Sequence, residues 1–194
     1  MADESALTVR PGGRGFPPLA TYRAIKLVVF DVDGVLTDGR IILDSGGAES
    51  KFFHVRDGSG ICFLQKADLL VGLLTGRSSP VVDARARDMN IPPRLVKQGA
   101  AFKLPAFLQL LQENGLVPGE AAFVGDDIID LPVLETAALA CCPADGHPEV
   151  VQACHVVAQR NGGCGGARAI CEHVLKQRAD GSWDKAMARY LGRA

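Results

Sequence analysis

Short apolar segments alternate with longer amphipathic segments over most of this chain, and several apolar segments end in acidic residues. The short segments are typical of buried β-strands and the longer ones of α-helices, with turns rich in glycine, proline and asparagine between them. Such alternation predicts an α/β fold, in which a Rossmann-like parallel sheet carries helices on both faces. Ligands bind at the carboxyl ends of the strands in such sheets, so the residues that follow each strand are the candidates for function.

The expected elements follow from the same pattern. Strands are predicted over residues 26–30, 69–74, 94–97, 121–124, 139–142 and 155–157, and helices over 57–66, 80–88, 102–113, 128–135, 148–154, 167–178 and 183–191. Asp57 or Ser59 is expected to cap the first helix. A small β-hairpin flap is expected over 40–55, with strands 41–43 and 52–55 around a turn at 44–47.

The size and composition favour one globular domain over residues 24–178. Residues 1–23, rich in proline and glycine, are predicted to be a disordered tail, and residues 179–194 a C-terminal tail or short helix. The net charge of −1 argues against nucleic-acid binding. The start of the chain does not have the layout of a signal peptide, and no apolar run is long enough to span a bilayer, which favours a cytoplasmic protein. The six cysteines form no C-x-x-C pair and are expected to be free thiols, most of them buried.

Residues suited to phosphate chemistry stand at the ends of three predicted strands and near the start of the helix that follows a fourth. They are Asp31-Val32-Asp33-Gly34, Thr75-Gly76-Arg77, Lys103, and Gly125-Asp126-Asp127-Ile128-Ile129-Asp130. Each alone would be an ordinary turn or helix cap. Together they would bring several carboxylates to one edge of the sheet, where the charges repel one another unless a cation is bound. Oxygen ligands of this kind favour Mg²⁺.

The same residues suggest a division of labour on a phosphate ester. Asp31 would attack phosphorus and form an aspartyl-phosphate. Asp33 would protonate the leaving oxygen and then activate the water that hydrolyses the intermediate. Thr75 would donate a hydrogen bond to a phosphoryl oxygen, and Lys103 together with Mg²⁺ would neutralise the charge.

These motifs resemble those of the haloacid dehalogenase superfamily. Further segments closely resemble its 3-deoxy-D-manno-octulosonate 8-phosphate phosphatase family. They are Phe53-His54-Val55-Arg56-Asp57-Gly58, the Gly60-Ile61 that follows, Gln98-Gly99, and Pro143-Ala144-Asp145-Gly146-His147-Pro148. The resemblance covers about residues 25–178.

This resemblance implies a Mg²⁺-dependent phosphatase that acts in lipopolysaccharide precursor synthesis, without a large cap domain. It implies that Mg²⁺ is held by Asp31, the backbone carbonyl of Asp33, and Asp126, with Asp127 and Asp130 as supporting residues. It implies substrate contacts from Asp33, His54, Val55, Arg56, Asp57, Gly58, Arg77, Arg85 and Lys103. It also implies a homotetramer assembled through the hairpin, in which a neighbour's C-terminal tail helps to close the site. Arg77 and Arg85, eight residues apart, are expected to lean toward the same opening of the site.

Two positions depart from the family pattern, since Cys62 and Cys164 stand where the relatives tend to carry arginine. Both changes remove a cation that could meet the substrate, so a phosphatase of a nine-carbon keto-acid phosphate or of another sugar phosphate stays an alternative. Arg77 favours the eight-carbon substrate, because an acidic residue tends to follow Thr-Gly in the nine-carbon relatives.

Proteins of other classes are also possible from the motifs. A receiver-type signalling module also uses an aspartyl-phosphate, Mg²⁺, a threonine and a lysine, but there the paired acids come first and the phosphorylated aspartate later in the chain. A phosphomutase needs a cap that excludes water, and the short segment between Asp33 and Gly76 leaves no room for one. A binding protein without activity would not need all of the core residues.

Overall fold

A mostly parallel sheet forms the centre of the molecule. The computed structural model describes residues 9–188 and 190–193. Its strands are β1 (Val9–Pro11), β2 (Leu27–Phe30), β3 (Ile42–Leu43), β4 (Glu49–Ser50), β5 (Leu70–Leu74), β6 (Val96–Lys97), β7 (Ala121–Val124), β8 (Leu139–Cys142) and β9 (Val156–Ala158). Seven of them form one sheet in the order β1-β9-β8-β7-β2-β5-β6, and β3 pairs with β4 in the separate hairpin.

The helices pack on the sheet in two groups. They are α1 (Leu19–Ala24), α2 (Val55–Lys66), α3 (Pro80–Asp88), α4 (Lys103–Glu113), α5 (Leu131–Thr136), α6 (Pro148–Ala153), α7 (Gly166–Arg178) and α8 (Trp183–Met187). Helices α1, α2 and α8 contact α7, whereas α4 and α6 contact α5, and both groups contact strands of the sheet. This arrangement confirms the predicted α/β fold. No helix within the described ranges is both long and apolar enough to cross a membrane.

Strand β2 lies at the point where the order of the sheet reverses. It pairs in parallel with β5 on one side and with β7 on the other. All residues of β2, β7 and β8 are buried, as expected for parallel strands covered on both faces. The carboxyl ends of β2, β5 and β7 therefore meet at one edge, and a crevice at such a reversal is where open α/β sheets bind ligands.

The prediction of a disordered tail over 1–23 is wrong for residues 9–23; residues 1–8 lie outside the described residues. Val9–Pro11 pairs antiparallel with β9 and adds an edge strand that the expected all-parallel sheet lacked. Gly12 and Gly13 follow, and a Cβ atom on either would lie within 2.5 Å of a backbone oxygen of Cys154 or Gln152. The two glycines therefore allow the N-terminal segment to lie close to the backbone of residues 152 and 154, and they are not a sign of disorder.

The hairpin is shorter than predicted. The carboxylate of Asp44 accepts hydrogen bonds from the backbone N–H groups of Gly46 and Ala48, both at 2.8 Å, which closes the turn early. The second strand is therefore Glu49–Ser50 rather than residues 52–55. The next helix begins at Val55, and its cap is His54 rather than Asp57 or Ser59, because the His54 ring accepts a hydrogen bond from the N–H of Arg56.

Most other predicted bounds lie close to the observed ones. Helix α3 and strands β7 and β8 have the predicted bounds. The predicted helix over 128–135 is a 3₁₀ turn, Ile128–Asp130, followed by α5. The terminal helix ends at Met187 instead of residue 191, and residue 189 lies outside the described residues.

Tyr22 tests whether the N-terminal segment belongs to the domain. Its side chain is 1% exposed, and its hydroxyl lies 2.9 Å from Nε2 of His173 on α7. We expect Tyr22→Ala to lower the free energy of unfolding by about 3–5 kcal/mol and Tyr22→Phe by about 1 kcal/mol, measured by urea denaturation. Leu19→Ala in the same helix is the control, because Leu19 is exposed. A loss of less than about 1 kcal/mol for Tyr22→Ala would show that α1 is not docked.

Candidate active site

Asp31 is fixed at the carboxyl end of β2. Its backbone N–H donates to the carbonyl of Val124 at 2.9 Å, which continues the pairing of β2 with β7. Its side chain is almost buried, with Oδ1 accepting the N–H of Val32 at 2.7 Å. Oδ2 lies 2.7 Å from Nζ of Lys103. The carboxylate therefore has a fixed orientation at the sheet edge.

Lys103 joins Asp31 to Asp130. It is the first residue of α4, its side chain is 1% exposed, and its Nζ lies 2.6 Å from Oδ1 of Asp130. Burial alone would lower the pKa of Lys103, but the charges of Asp31 and Asp130 raise it above its ordinary value. The lysine is therefore a permanent cation, and the buried ion pairs offset much of the cost of desolvating it.

Asp130 has both of its carboxylate oxygens in use. Oδ1 accepts from Lys103, and Oδ2 accepts the backbone N–H groups of Asp126 and Asp127 at 3.0 and 3.2 Å. It thus fixes the loop that carries Asp126. Asp127 caps the 3₁₀ turn instead, accepting the N–H of Ile128 at 2.8 Å.

Gly34 allows Asp126 to approach the loop that follows β2. Its φ of +89° favours glycine, and a Cβ atom there would lie 2.1 Å from Oδ2 of Asp126. The glycine in the Asp-x-Asp-Gly motif therefore leaves room for the Asp126 carboxylate.

The acidic cluster fits a hard divalent cation. One carboxylate oxygen from each of Asp31, Asp126 and Asp130 lies within 4.8 Å of the others. Oδ1 of Asp126 is buried without a hydrogen-bond partner among the described residues. Desolvation, and then the charges of Asp31 and Asp130, raise the pKa of Asp126 to about 8. Desolvation likewise raises the pKa of Asp31. A bound cation would relieve both costs, and the oxygen donors suit Mg²⁺.

The carboxylates open into a cavity of about 270 Å³ at the sheet edge. It is lined by Asp31, Asp33, Gly34, Gly39, Thr75, Gly76, Arg77, Lys103, Asp126, Asp127 and Ile129. The structure thus brings together all four residues predicted to be catalytic and all three predicted metal ligands. Among the predicted substrate contacts, Asp33, Arg77 and Lys103 border this cavity.

The remaining predicted substrate contacts lie elsewhere in the single chain. His54, Asp57, Gly58 and Arg85 line a separate small cavity. The Arg85 guanidinium pairs with Asp88 and lies over the ring of Phe53. Val55 and Arg56 are exposed at the start of α2. Arg77 lines the cavity at the sheet edge and Arg85 lines the smaller one, so the two arginines do not face the same opening of the single chain, contrary to expectation.

Asp57 has a structural role in this chain. Its buried carboxylate accepts the backbone N–H groups of Gly165 at 3.2 Å and Arg168 at 2.8 Å, at the start of α7. It thereby fixes the glycine-rich loop, residues 161–166. In that loop a Cβ atom on Gly162 would lie 1.7 Å from the backbone oxygen of Gly34. The loop is therefore packed against the backbone of the Asp-x-Asp-Gly motif.

Two residues near the cavity were not predicted from the sequence. Lys51, in the hairpin, places its Nζ 2.5 Å from Oδ1 of Asp33. His147 donates its backbone N–H to the carbonyl of Asp126 at 2.8 Å. In the sequence Lys51 stands directly before the apolar pair Phe52-Phe53, and this pattern could have indicated a buried ammonium group.

The cysteines are free, as expected. Cys141, Cys142, Cys154 and Cys171 are buried, Cys62 is partly buried and Cys164 is exposed.

The chain is similar to known phosphatases over most of its length. It is 39% identical over 173 residues to 3-deoxy-D-manno-octulosonate 8-phosphate phosphatase of Escherichia coli K12, which covers 89% of this chain and 90% of that one. The structure of the Yersinia pestis enzyme of the same name matches with a TM-score of 0.80 and 36% identity, covering 84% of this chain and 87% of the other. The Moraxella catarrhalis enzyme in complex with magnesium, phosphate and KDO matches with a TM-score of 0.80 and 34% identity, covering 84% and 92%. No family model matches the chain.

The raised pKa values predict how the metal-free protein responds to pH. The ordinary pKa of an aspartate is 3.8, whereas burial raises that of Asp126 to about 8 and that of Asp31 in the same direction. At pH values between the ordinary and the raised pKa, the folded chain binds more protons than the unfolded chain. Its stability therefore falls as the pH rises from about 4 to about 8. We expect Mg²⁺ to remove this loss, with a gain of about 2.7 kcal/mol at a concentration of about 100 times Kd.

Melting temperatures with excess Mg²⁺ or with a chelator, across this pH range, measure the effect. Asp126→Asn is the matched variant, expected to show a weaker pH dependence and a smaller Mg²⁺ shift. An equal melting temperature with and without Mg²⁺ at pH 8 would contradict the assignment.

Proposed function

The chain belongs to the 3-deoxy-D-manno-octulosonate 8-phosphate phosphatase family of the haloacid dehalogenase superfamily, and from this membership we propose that it hydrolyses that phosphate ester. The products are the free sugar acid and inorganic phosphate, and the enzyme is a phosphoric monoester hydrolase. The observation that carries the proposal is the Asp31 carboxylate, which lies in the cavity at the sheet edge beside Lys103 and Asp126.

In the first step Asp31 is the nucleophile. One of its oxygens bonds to phosphorus as the bond from phosphorus to the sugar oxygen breaks, which leaves an aspartyl-phosphate. Asp33, which borders the same cavity, gives its proton to the leaving oxygen, so that the sugar departs as an alcohol. Thr75 donates to a phosphoryl oxygen, and the Lys103 ammonium offsets the charge of the phosphoryl group.

In the second step water replaces the sugar. Asp33, now deprotonated, takes a proton from the water as its oxygen attacks phosphorus. The bond to Asp31 breaks and inorganic phosphate leaves, so that Asp31 and Asp33 return to their starting states. An acid at position 33 thus favours rapid turnover over storage of the phosphoryl group, which distinguishes the chain from a receiver module.

Mg²⁺ is the cofactor of the proposed reaction. Asp31, the backbone carbonyl of Asp33, and Asp126 would hold it, and when bound it supplies positive charge beside the phosphoryl group. Arg77, 48% exposed at the rim of the cavity, is placed to meet the negatively charged sugar acid.

Release of inorganic phosphate tests the proposed function. We expect Mg²⁺-dependent turnover of 3-deoxy-D-manno-octulosonate 8-phosphate, with a higher kcat/KM than for a nine-carbon keto-acid phosphate. Asp31→Asn should lower the rate to background, because an amide is a poor nucleophile, while the circular dichroism spectrum is kept. The matched control is Asp68→Asn, an exposed carboxylate just before β5, at the end of the sheet opposite the cavity. A preference for the nine-carbon ester would contradict the substrate, and an active Asp31→Asn variant would contradict the nucleophile.

We also propose that the chain acts in the cytoplasm, in lipopolysaccharide precursor synthesis, as a homotetramer whose neighbouring subunits complete each site. Two features support the assembly. The hairpin and the segment after it expose Ile41, Leu43 and Phe52, each by more than half of its surface. An exposed apolar group of this kind is typical of a protein interface. The proposed contacts from residues 54–58 and Arg85 also lie outside the cavity of the single chain.

The mass in solution tests the assembly. We expect a tetramer by light scattering, and expect Leu43→Glu combined with Phe52→Glu to shift it toward smaller species, because two buried charges in each subunit would oppose association. Leu108→Glu, an exposed leucine on α4, is the control. A wild-type monomer with full activity would refute the shared site.

A further inference from the structure

Lys51 is a buried cation that the proposed reaction does not use. It follows β4 in the hairpin, and its side chain is 1% exposed. Its Nζ lies 2.5 Å from Oδ1 of Asp33 and 3.4 Å from Oε1 of Glu49. Removing an ammonium group from water is costly unless charged partners compensate, so these two carboxylates hold the lysine in a defined place.

The two oxygens of Asp33 have different surroundings. Oδ1 accepts from Lys51, whereas Oδ2 is buried and has no hydrogen-bond partner within residues 9–188 and 190–193. Asp33 borders the cavity that contains Asp31, but Lys51 does not. One oxygen is therefore anchored from the hairpin side, and the other is buried without a partner in a residue that borders the cavity.

The same lysine connects the hairpin to a second strand end. Glu49, its other partner, accepts from Nη2 of Arg77 at 2.9 Å. Hydrogen bonds from Ser79 and Arg77, and the charge of Lys51, keep the pKa of Glu49 below its ordinary value. Glu49 thus ties the hairpin to the residues after β5, while Lys51 ties it to Asp33 after β2.

We propose that Lys51 is a positioning residue for the proposed reaction: through Oδ1 it anchors the Asp33 carboxyl group at the border of the cavity, in the orientation in which this group meets first the sugar oxygen and then the attacking water. This inference rests on the proposed function. Proton transfer needs heavy atoms within hydrogen-bond reach, and a displacement of about 1 Å can cost roughly 100-fold in rate. The hairpin then contributes to catalysis through the orientation of Asp33.

The competing explanation is that the ion pairs only fasten the hairpin. Two variants separate the two roles. Lys51→Met removes the anchor of Asp33, whereas Glu49→Gln weakens the link from Lys51 to Arg77 and leaves the ammonium group on Asp33. If the ion pairs only fasten the hairpin, both variants should lose similar amounts of activity. If Lys51 positions Asp33, Lys51→Met should lose far more activity than Glu49→Gln.

The experiment measures kcat and KM for 3-deoxy-D-manno-octulosonate 8-phosphate with Mg²⁺, together with the phosphorylated fraction of acid-quenched enzyme by mass spectrometry. Lys51→Met is expected to lower kcat by about 10- to 100-fold, with KM changed less than about threefold. Lys51→Arg should recover a large part of the loss, and Glu49→Gln should stay within about threefold of the wild type. With p-nitrophenyl phosphate, whose leaving group needs little protonation, Lys51→Met should accumulate phosphoenzyme, as Asp33→Asn should.

Lys26→Met is the control, because Lys26 pairs with Glu120 at the opposite end of β2 and is well exposed. A kcat for Lys51→Met within twofold of the wild type would overturn the inference. So would an equal loss in Glu49→Gln, or a loss confined to KM. If Lys51→Met does not fold, the comparison of Lys51→Arg with Glu49→Gln decides: the inference fails if Glu49→Gln is the more impaired. An inactive wild type would instead refute the proposed function itself.

Discussion

The ammonium group of Lys103 holds three separate parts of the chain at one point. It lies 2.7 Å from Asp31, at the end of β2, and 2.6 Å from Asp130, which supports the loop after β7. Without this cation, two buried carboxylates would face each other in a medium of low dielectric constant, where their repulsion is strong. Because Asp130 also binds the N–H groups of the Asp126 loop, the position of Lys103 determines that of Asp126. The geometry that suits a metal ion therefore depends on one lysine at the start of α4.

The site carries more negative charge than Lys103 alone can offset. Asp126 keeps a buried oxygen without a partner, and its pKa is raised to about 8. A second cation, Lys51, meets Asp33 from the hairpin. The two lysines divide the cluster: Lys103 orients Asp31, the proposed nucleophile, and Lys51 contacts Asp33, the proposed acid–base residue. A domain without a large cap can thus organise its site with a short hairpin.

The sequence predicted the parts of this structure that depend on local pattern and on topology. Buried strands such as Ala121–Val124 are short apolar runs, and parallel pairing alone brings the residues that follow them together. The sequence did not predict features set by long-range contacts. The order of Val9–Pro11 depends on pairing with β9, far along the chain. Asp57 has the sequence signature of a helix cap, yet its carboxylate binds the start of α7. The role of Lys51 depends on how the hairpin folds back, which no local pattern contains.

The glycine-rich loop explains how residue 164 can change without altering the core of the site. Gly162 and Gly163 leave no room for a Cβ atom against Gly34 and Thr37, so these two glycines fix the contact with the catalytic loop. Cys164 is exposed, and its backbone N–H bonds within the loop to Asn161. Replacing an arginine at that position therefore removes a charge from the surface but leaves the packing intact. In the proposed function, recognition of the anionic sugar acid would then rely more on Arg77, which borders the cavity and is half exposed.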